Sequence, residues 1–335
     1  MNTSEIKQNQ QLLVISVTLG SVILVIKFVA FFLTNSNAIL SDALESIINV
    51  AAAALGLYAF NIAYRPQDRN HPYGHGKIEF LSAGFEGALI LAAGIIIISK
   101  AIYNFIHPQE IQKLQWGVLL VGIAGLINFV LGYMLEKRGK SANSQILLAG
   151  GKHLKSDAYS SAGLVLGVIL TWIFDLVLLD NICAIIFGVI IIFTGYRLVE
   201  NSIAGIMDKA DYDLISKMVV RLNDLRKPYW IDIHNLRIIK YGSKYHIDCH
   251  VTVPWYYDIN QGHDAVELFE DSMKSIDPSI LEIFVHTDPC APLSCKLCTI
   301  SECPVRLHPF VKQIDWNLDN VMYNKKHVLP EDMLN

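Results

Sequence analysis

The chain has 335 residues and a net charge of −4, and it is 53% hydrophobic but only 17% charged. Soluble domains average roughly 25% charged residues, so this composition argues against an all-soluble enzyme and against a disordered chain. The slightly acidic balance, with a pI of about 6.2, gives no basis for nucleic-acid binding.

The apolar excess lies before Asp208. Six stretches reach the about 20 residues needed to cross a bilayer core: 12–34, 38–63, 79–106, 116–135, 143–174 and 178–205. The first is longer than a signal-peptide core and has no basic lead, so it reads as a retained span. Turn chemistry or charge marks the breaks: Asn35-Ser36-Asn37, Arg65 to His75, His107-Pro108 and Glu136 to Lys140. Basic residues cluster in the second connection (Arg65, Arg69, Lys77) and the fourth (Lys137, Arg138, Lys140). The first has none, the third only Lys113, and the fifth carries Asp175 and Asp180. The positive-inside rule then places both termini in the cytoplasm, for an integral protein of a bacterial inner (plasma) membrane.

From Asp208 on, the pattern is that of a soluble domain. Residues 211–225 have helical periodicity, 231–239 and 245–253 alternate like strands around a turn at Lys240–Ser243, 261–276 form an amphipathic helix, and 280–285 a third strand. This order predicts a small α+β layer with its helices on one face. The expected division is 1–207, 208–290 and a cysteine-containing extension, 291–335. Beyond about Leu307 the extension carries no signal.

Four polar groups stand out inside the spans: Asp42, Glu45, His153 and Asp157. Such groups are expensive in lipid and persist where they face a bundle interior. His153 and Asp157 are four apart, so both lie on one helix face. An imidazole and a carboxylate within one turn supply half of a tetrahedral site for a borderline divalent ion. Glu45 and Asn49 repeat the spacing on the second span, with Asp42 broadly on that face. The plainer alternative is a polar helix–helix contact. The loop after the second span holds Asp68, His71 and His75, with Gly74 and Gly76 able to bend the backbone around an ion. In the soluble part, His234 and His250 fall on two strands. His286 and Asp288 end the third and share a face by their two-residue spacing.

Taken together, the six spans, the Ser-Asp-Ala-Leu-Glu-Ser run around Glu45, His71-Pro-Tyr-Gly-His75-Gly-Lys77, His153-x-x-x-Asp157 and His286-Thr-Asp288-Pro-Cys290 resemble the cation diffusion facilitator family over residues 10–290. The resemblance implies a homodimer in the lipid bilayer that exports divalent metal in exchange for protons, through a helical domain followed by a ferredoxin-like, metallochaperone-like cytoplasmic domain. It implies a transport site of Glu45, Asn49, His153 and Asp157, with a register through Asp42 as the alternative. A loop site falls on Asp68, His71 and His75, and a cytoplasmic site on His234, His250, His263, His286 and Asp288. A charge interlock falls on Lys77 and Asp208. Asn49 and Glu45 depart from the family's usual second-span ligands. The neutral amide removes one negative charge, which leaves zinc, iron, manganese, cobalt and cadmium open, zinc or iron first.

Cys290, Cys295, Cys298 and Cys303 form a C-x4-C-x2-C-x4-C run that the resemblance does not supply beyond its first member. In a reducing compartment clustered cysteines point to metal rather than disulfides, as a zinc knuckle first and an iron–sulfur cluster second. Inert thiols are the plain alternative. Cys183 and Cys249 read as packing residues. The rival function is a membrane-bound metal sensor or scaffold without transport. A membrane metallohydrolase is disfavoured, because there is no HExxH-type motif.

Overall fold

The computed structural model describes residues 3–34, 37–106, 114–174, 178–277 and 279–329. The expected breaks at Asn35-Ser36, His107-Pro108, Lys113 and Asp175 lie outside the described residues, as do the side chains of Asp42 and Glu45. The chain divides between Met207 and Asp208 into two compact units.

The first unit contains six long helices among the described residues: α1 (Thr3–Thr34), α2 (Asn37–Ala63), α3 (Ile78–Ile106), α4 (Leu114–Ala142), α5 (Gln145–Phe174) and α6 (Leu178–Ile206). Three contain an uninterrupted stretch long and apolar enough to span a membrane: Ser4–Ile26, Ile78–Ile106 and Asn181–Ile206. Two of the others, α2 and α5, carry the polar groups singled out above.

The structure corrects the boundary after the fourth span. Glu136 to Lys140, expected as a loop, continues α4 to Ala142. Glu136 accounts for this. It pairs with Lys140 one turn on at 2.8 Å and with Lys155 of α5 at 2.9 Å, as i,i+4 pairs do on helices. Arg138 is therefore a helix residue. It donates to Asn9 at 2.9 Å and to Gln8 of α1, while Gln10 donates to Asn61 of α2 at 2.9 Å. The start of α1 and the ends of α2 and α4 thus lie together.

Inside lipid no hydrophobic effect drives helices together, so close packing over small residues does. The most extensive pairings are α3 with α6 and α4 with α5. A Cβ at Gly195 of α6 would stand 2.7 Å from the Leu91 amide nitrogen and 2.9 Å from the Gly87 carbonyl oxygen. Backbone cannot yield as a side chain can. Gly195→Val is expected to force α6 from α3 and leave little monodisperse protein after detergent extraction, whereas Gly262→Ala, where a Cβ meets nothing within 4 Å, should purify normally. Size-exclusion chromatography checks both.

The second unit opens with α7 (Tyr212–Leu225), capped by the Asp211 carboxylate on the Leu214 amide at 3.0 Å. Strands β1 (Asp232–Tyr241) and β2 (Lys244–Val253) form an antiparallel hairpin. Its two-residue turn has Gly242 at φ 60°, which glycine adopts without strain. Helix α8 (Ile259–Lys274) carries a full capping box between Asp258 and Gln261. Strand β3 (Ile280–Pro289) then adds to β2 in parallel, giving the order β1-β2-β3. It runs four residues further than expected, so His286 and Asp288 lie within it.

One face of the sheet packs Ile233, Ile247, Cys249 and Val251 against Ile215 and Met218 of α7 and Phe269 and Met273 of α8. Alternation sends His250, His286 and Asp288 to the other face. The segment after Leu307 also differs from expectation. Trp316 and Val321 belong to the domain core, and the Arg226 guanidinium stacks 3.8 Å over the Trp316 ring.

Candidate metal centres

Helices α2 and α5 bring three of the expected transport residues together. The Asn49 amide donates to Asp157 Oδ2 at 3.0 Å, and its Oδ1 lies 3.2 Å from His153 Nε2. His153 Nε2 and Asp157 Oδ2 are 3.9 Å apart. Two ligands about 2.0 Å from a tetrahedral ion stand about 3.3 Å apart, so a small approach places both on one cation. The three line a cavity of about 110 Å³ within the first unit. Asn49 thus bridges the imidazole Nε2 and the carboxylate. His153 is buried, and its Nδ1 has no hydrogen-bond partner among the described residues. Asp42 and Glu45 lie on α2, their side chains outside the described residues.

The same cavity contains a residue that the sequence analysis missed, Glu86 of α3. It is buried, and its Oε2 has no hydrogen-bond partner among the described residues. Glycines make its place. A Cβ at Gly56 of α2 would meet Oε1 at 3.0 Å, and one at Gly150 of α5 would stand 3.9 Å from Oε2. Gly150 precedes His153 by three residues, about one helical turn. Another buried acid, Glu79, is a structural residue by contrast. It accepts from Ser144 Oγ at 2.8 Å and from the Gln145 amide at 2.7 Å, capping α5.

In the loop before α3, Asp68 accepts at Oδ1 from the backbone amides of Asn70 and His71, at 2.8 and 2.7 Å. The His71 amide is the main reason that its carboxyl is held below the usual range. His71 Nδ1 lies 3.1 Å from Oδ1, and His75 Nε2 3.4 Å from Oδ2. Gly74, at φ 87°, supplies the bend. All three side chains offer ligand atoms within 4.8 Å of one another.

A second such group sits on the sheet face away from the helices: His234, His250 and Asp288. Asp288 Oδ2 lies 3.2 Å from His234 Nε2 and 3.1 Å from His250 Nδ1. His234 and His250 are direct cross-strand partners, as are His250 and His286. A β-bulge between His234 and Arg237, with Asn235 at φ 53°, lies beside the group, as bulges often do beside functional sites. The His286 ring stacks 4.6 Å from that of His250, and its Nε2 is 3.7 Å from Asp288, so it stands at the margin. His263 is exposed on α8 and is not brought into the group.

Two unexpected residues support this group. Asp232 places Oδ2 3.1 Å from His234 Nδ1, close but not in line for a hydrogen bond, and so turns Nε2 toward Asp288. His327 bonds Asp232 from the other side. Burial works against the Asp232 charge, but the His234 and His327 contacts outweigh it and hold the carboxyl far below its usual range. Lys326 Nζ stands 3.8 Å from Asp288.

Cys290, Cys295, Cys298 and Cys303 all line one small pocket. No three sulfurs among the described residues come within 4.8 Å of one another. Burial pushes the Cys290 and Cys298 thiols up. Cys249 points into the core, as expected. Lys77 directly precedes α3, and Asp208, at φ 56°, begins the second unit.

Comparison with known proteins decides what class of molecule holds these groups. Residues 13–207 match the family described as the cation efflux transmembrane domain, and residues 212–290 match the cation efflux protein cytoplasmic domain. The chain belongs to the cation efflux, or cation diffusion facilitator, family. An uncharacterised transporter of Synechocystis is 32% identical over 251 residues, covering 74% of this chain and 80% of the relative. A cadmium, cobalt and zinc/H(+)-K(+) antiporter of Bacillus subtilis is 25% identical over 268 residues, covering 79% and 85%. The cation-efflux pump FieF of Yersinia pestis is 23% identical over 273 residues, covering 82% and 90%. This cation efflux protein is thus an integral membrane protein, with a helical transmembrane domain and a small three-stranded cytoplasmic domain. Its family transports divalent metal cations.

Proposed function

We propose that this chain exports zinc or ferrous iron from the cytoplasm by exchange for protons. The observation that carries the reading is the convergence of Asn49, His153 and Asp157 on one cavity inside a helical bundle. The Bacillus subtilis antiporter, whose name couples zinc and proton movement, supports it.

In this reading the cation displaces the Asn49 hydrogen bonds. His153 offers Nε2 as a neutral ligand, Asp157 supplies charge, and the Asn49 oxygen completes the set with Glu45, or with Asp42 in the alternative register. Metal loads only the deprotonated ligands, so loading releases protons and protonation releases metal. Glu86 contributes the negative charge that the Asn49 amide lacks. A buried carboxylate without a partner is stable only with a proton or beside a cation.

The basic groups at the Arg65–Lys77 connection and at the end of α4 support a reading in which those ends and both termini are cytoplasmic, in a bacterial inner membrane. A homodimer through the cytoplasmic domain fits the match to that domain. Metal at His234, His250 and Asp288, with the loop group of Asp68, His71 and His75, then reports cytoplasmic metal to the transporter.

The test is transport by the purified full-length protein in proteoliposomes with an acid interior, for the molecules whose cytoplasmic face points outward. Zinc or ferrous iron is expected to accumulate inside and to stop accumulating when an ionophore collapses the gradient. Failure of zinc and iron to move under either polarity would reject this reading, and failure of manganese, cobalt and cadmium as well would leave a sensor or scaffold.

A further inference from the structure

We propose that Cys290, Cys295, Cys298 and Cys303 hold one zinc ion as a tetrathiolate site that fastens the C-terminal segment to the sheet. The proposal is independent of the transport reading, and three of the four cysteines lie beyond the match to the cytoplasmic domain, whose last residue is 290.

The backbone prepares the four positions. Cys290 follows β3, and its amide donates to the Val253 carbonyl at 2.9 Å, so it is fixed to the end of β2. Its sulfur accepts from the Trp255 amide at 3.4 Å, a contact suited to a thiolate. A 3-10 turn (Pro292–Lys296) carries Cys295, and Ser294 closes it by accepting from the Ala291 amide at 3.1 Å. Arg306 then gathers the rest. Its guanidinium donates to the carbonyls of Cys295 at 2.8 Å, Cys298 at 3.1 Å and Ile300 at 2.5 Å. The Val311 amide bonds back to Lys296 at 2.8 Å, so residues 296–311 form a closed loop.

Between Leu297 and Asn317 the described chain has no helix or strand, yet Leu297 and Cys298 are buried. Irregular segments of this size have too little core to hold themselves and are commonly stapled by a disulfide or a metal. None of the six cysteines forms a disulfide among the described residues, so the staple we propose is a metal.

The donor set suits a single ion, because four thiolates are the complete shell of a structural zinc site. The pocket that the four cysteines line is about 10 Å³, room for about one water-sized sphere. Four sulfurs about 2.3 Å from zinc lie about 3.8 Å apart, so the ion would draw the set inward from its present spread.

The test uses the full-length protein purified in detergent under reducing conditions and dialysed against a carboxylate chelator. Wild type is expected to keep one more zinc per chain than Cys295→Ser/Cys298→Ser, with a sulfur-only shell at about 2.3 Å in zinc X-ray absorption. Wild type with four freely titrating thiols and no sulfur-bound zinc would overturn the proposal. Iron with broad visible absorption would overturn it too, in favour of an iron–sulfur cluster. The wild-type absorption data decide even if the double variant fails to fold.

Discussion

Asp157→Ala should move no metal above protein-free background in acid-inside proteoliposomes, while the variant purifies like wild type. Asp157 is the charged member of the described trio, since Asn49 is neutral and His153 must be neutral to bind. Altering even an outer group at a metal site costs about 10–100-fold in affinity. Deleting the ligand that carries the charge therefore costs at least about 100-fold, and a site so weakened does not load at micromolar metal. The fold should tolerate the change. Asp157 is half-buried and borders a cavity, so a smaller side chain enlarges existing space instead of opening a void in packed core. His153→Ala is expected to behave alike. Transport by folded Asp157→Ala at the wild-type rate would remove the site from the transport path. A sensor role centred on His234, His250 and Asp288 would then become the better account.

The fold was legible because its signals are long and redundant. Six apolar runs and the αββαβ periodicity of the second unit follow from hydrophobic patterning alone. Patterning failed where local chemistry overrode it. Charges at Glu136 to Lys140 looked like a loop, but an acid and a base one turn apart serve an exposed helix equally well. Asn49, His153 and Asp157 were legible by their spacing. Asp232 was visible as the first residue of an Asp-Ile-His alternation, but a carboxylate two residues before a histidine is common, and its role depends on the bulge and on His327. That histidine was beyond reach, because it lies 95 residues from Asp232 in sequence and the tail returns through contacts such as Trp316 with Arg226 and Asn235 with Tyr323, which patterning does not reveal. His263, which the resemblance alone supplied, is exposed on α8 and lies outside the group of His234, His250 and Asp288.

Glu86 was within reach, as an acid among apolar residues in a span, and its replacement provides the sharper test of how this site holds its charge. Glutamine keeps the size and removes the charge, so Glu86→Gln isolates electrostatics from packing between Gly56 and Gly150. If the carboxylate offsets the neutral Asn49 amide, metal loading should weaken at least about tenfold, equivalent to about 1.4 kcal/mol. The loss should be largest at low metal. Glu86→Asp keeps the charge but draws it back by one methylene, so it should fall between Glu86→Gln and wild type. The double variant Glu86→Gln/Asn49→Asp then discriminates. It returns a carboxylate to the cavity at position 49, beside His153 and Asp157, and should recover much of the lost affinity. Recovery would mean that the cavity requires a set number of negative charges and accepts them from either α2 or α3. Glu86→Gln with unaltered metal dependence would instead mean that the buried acid keeps its proton throughout the cycle, and Asn49, His153 and Asp157 would have to carry the cation without it.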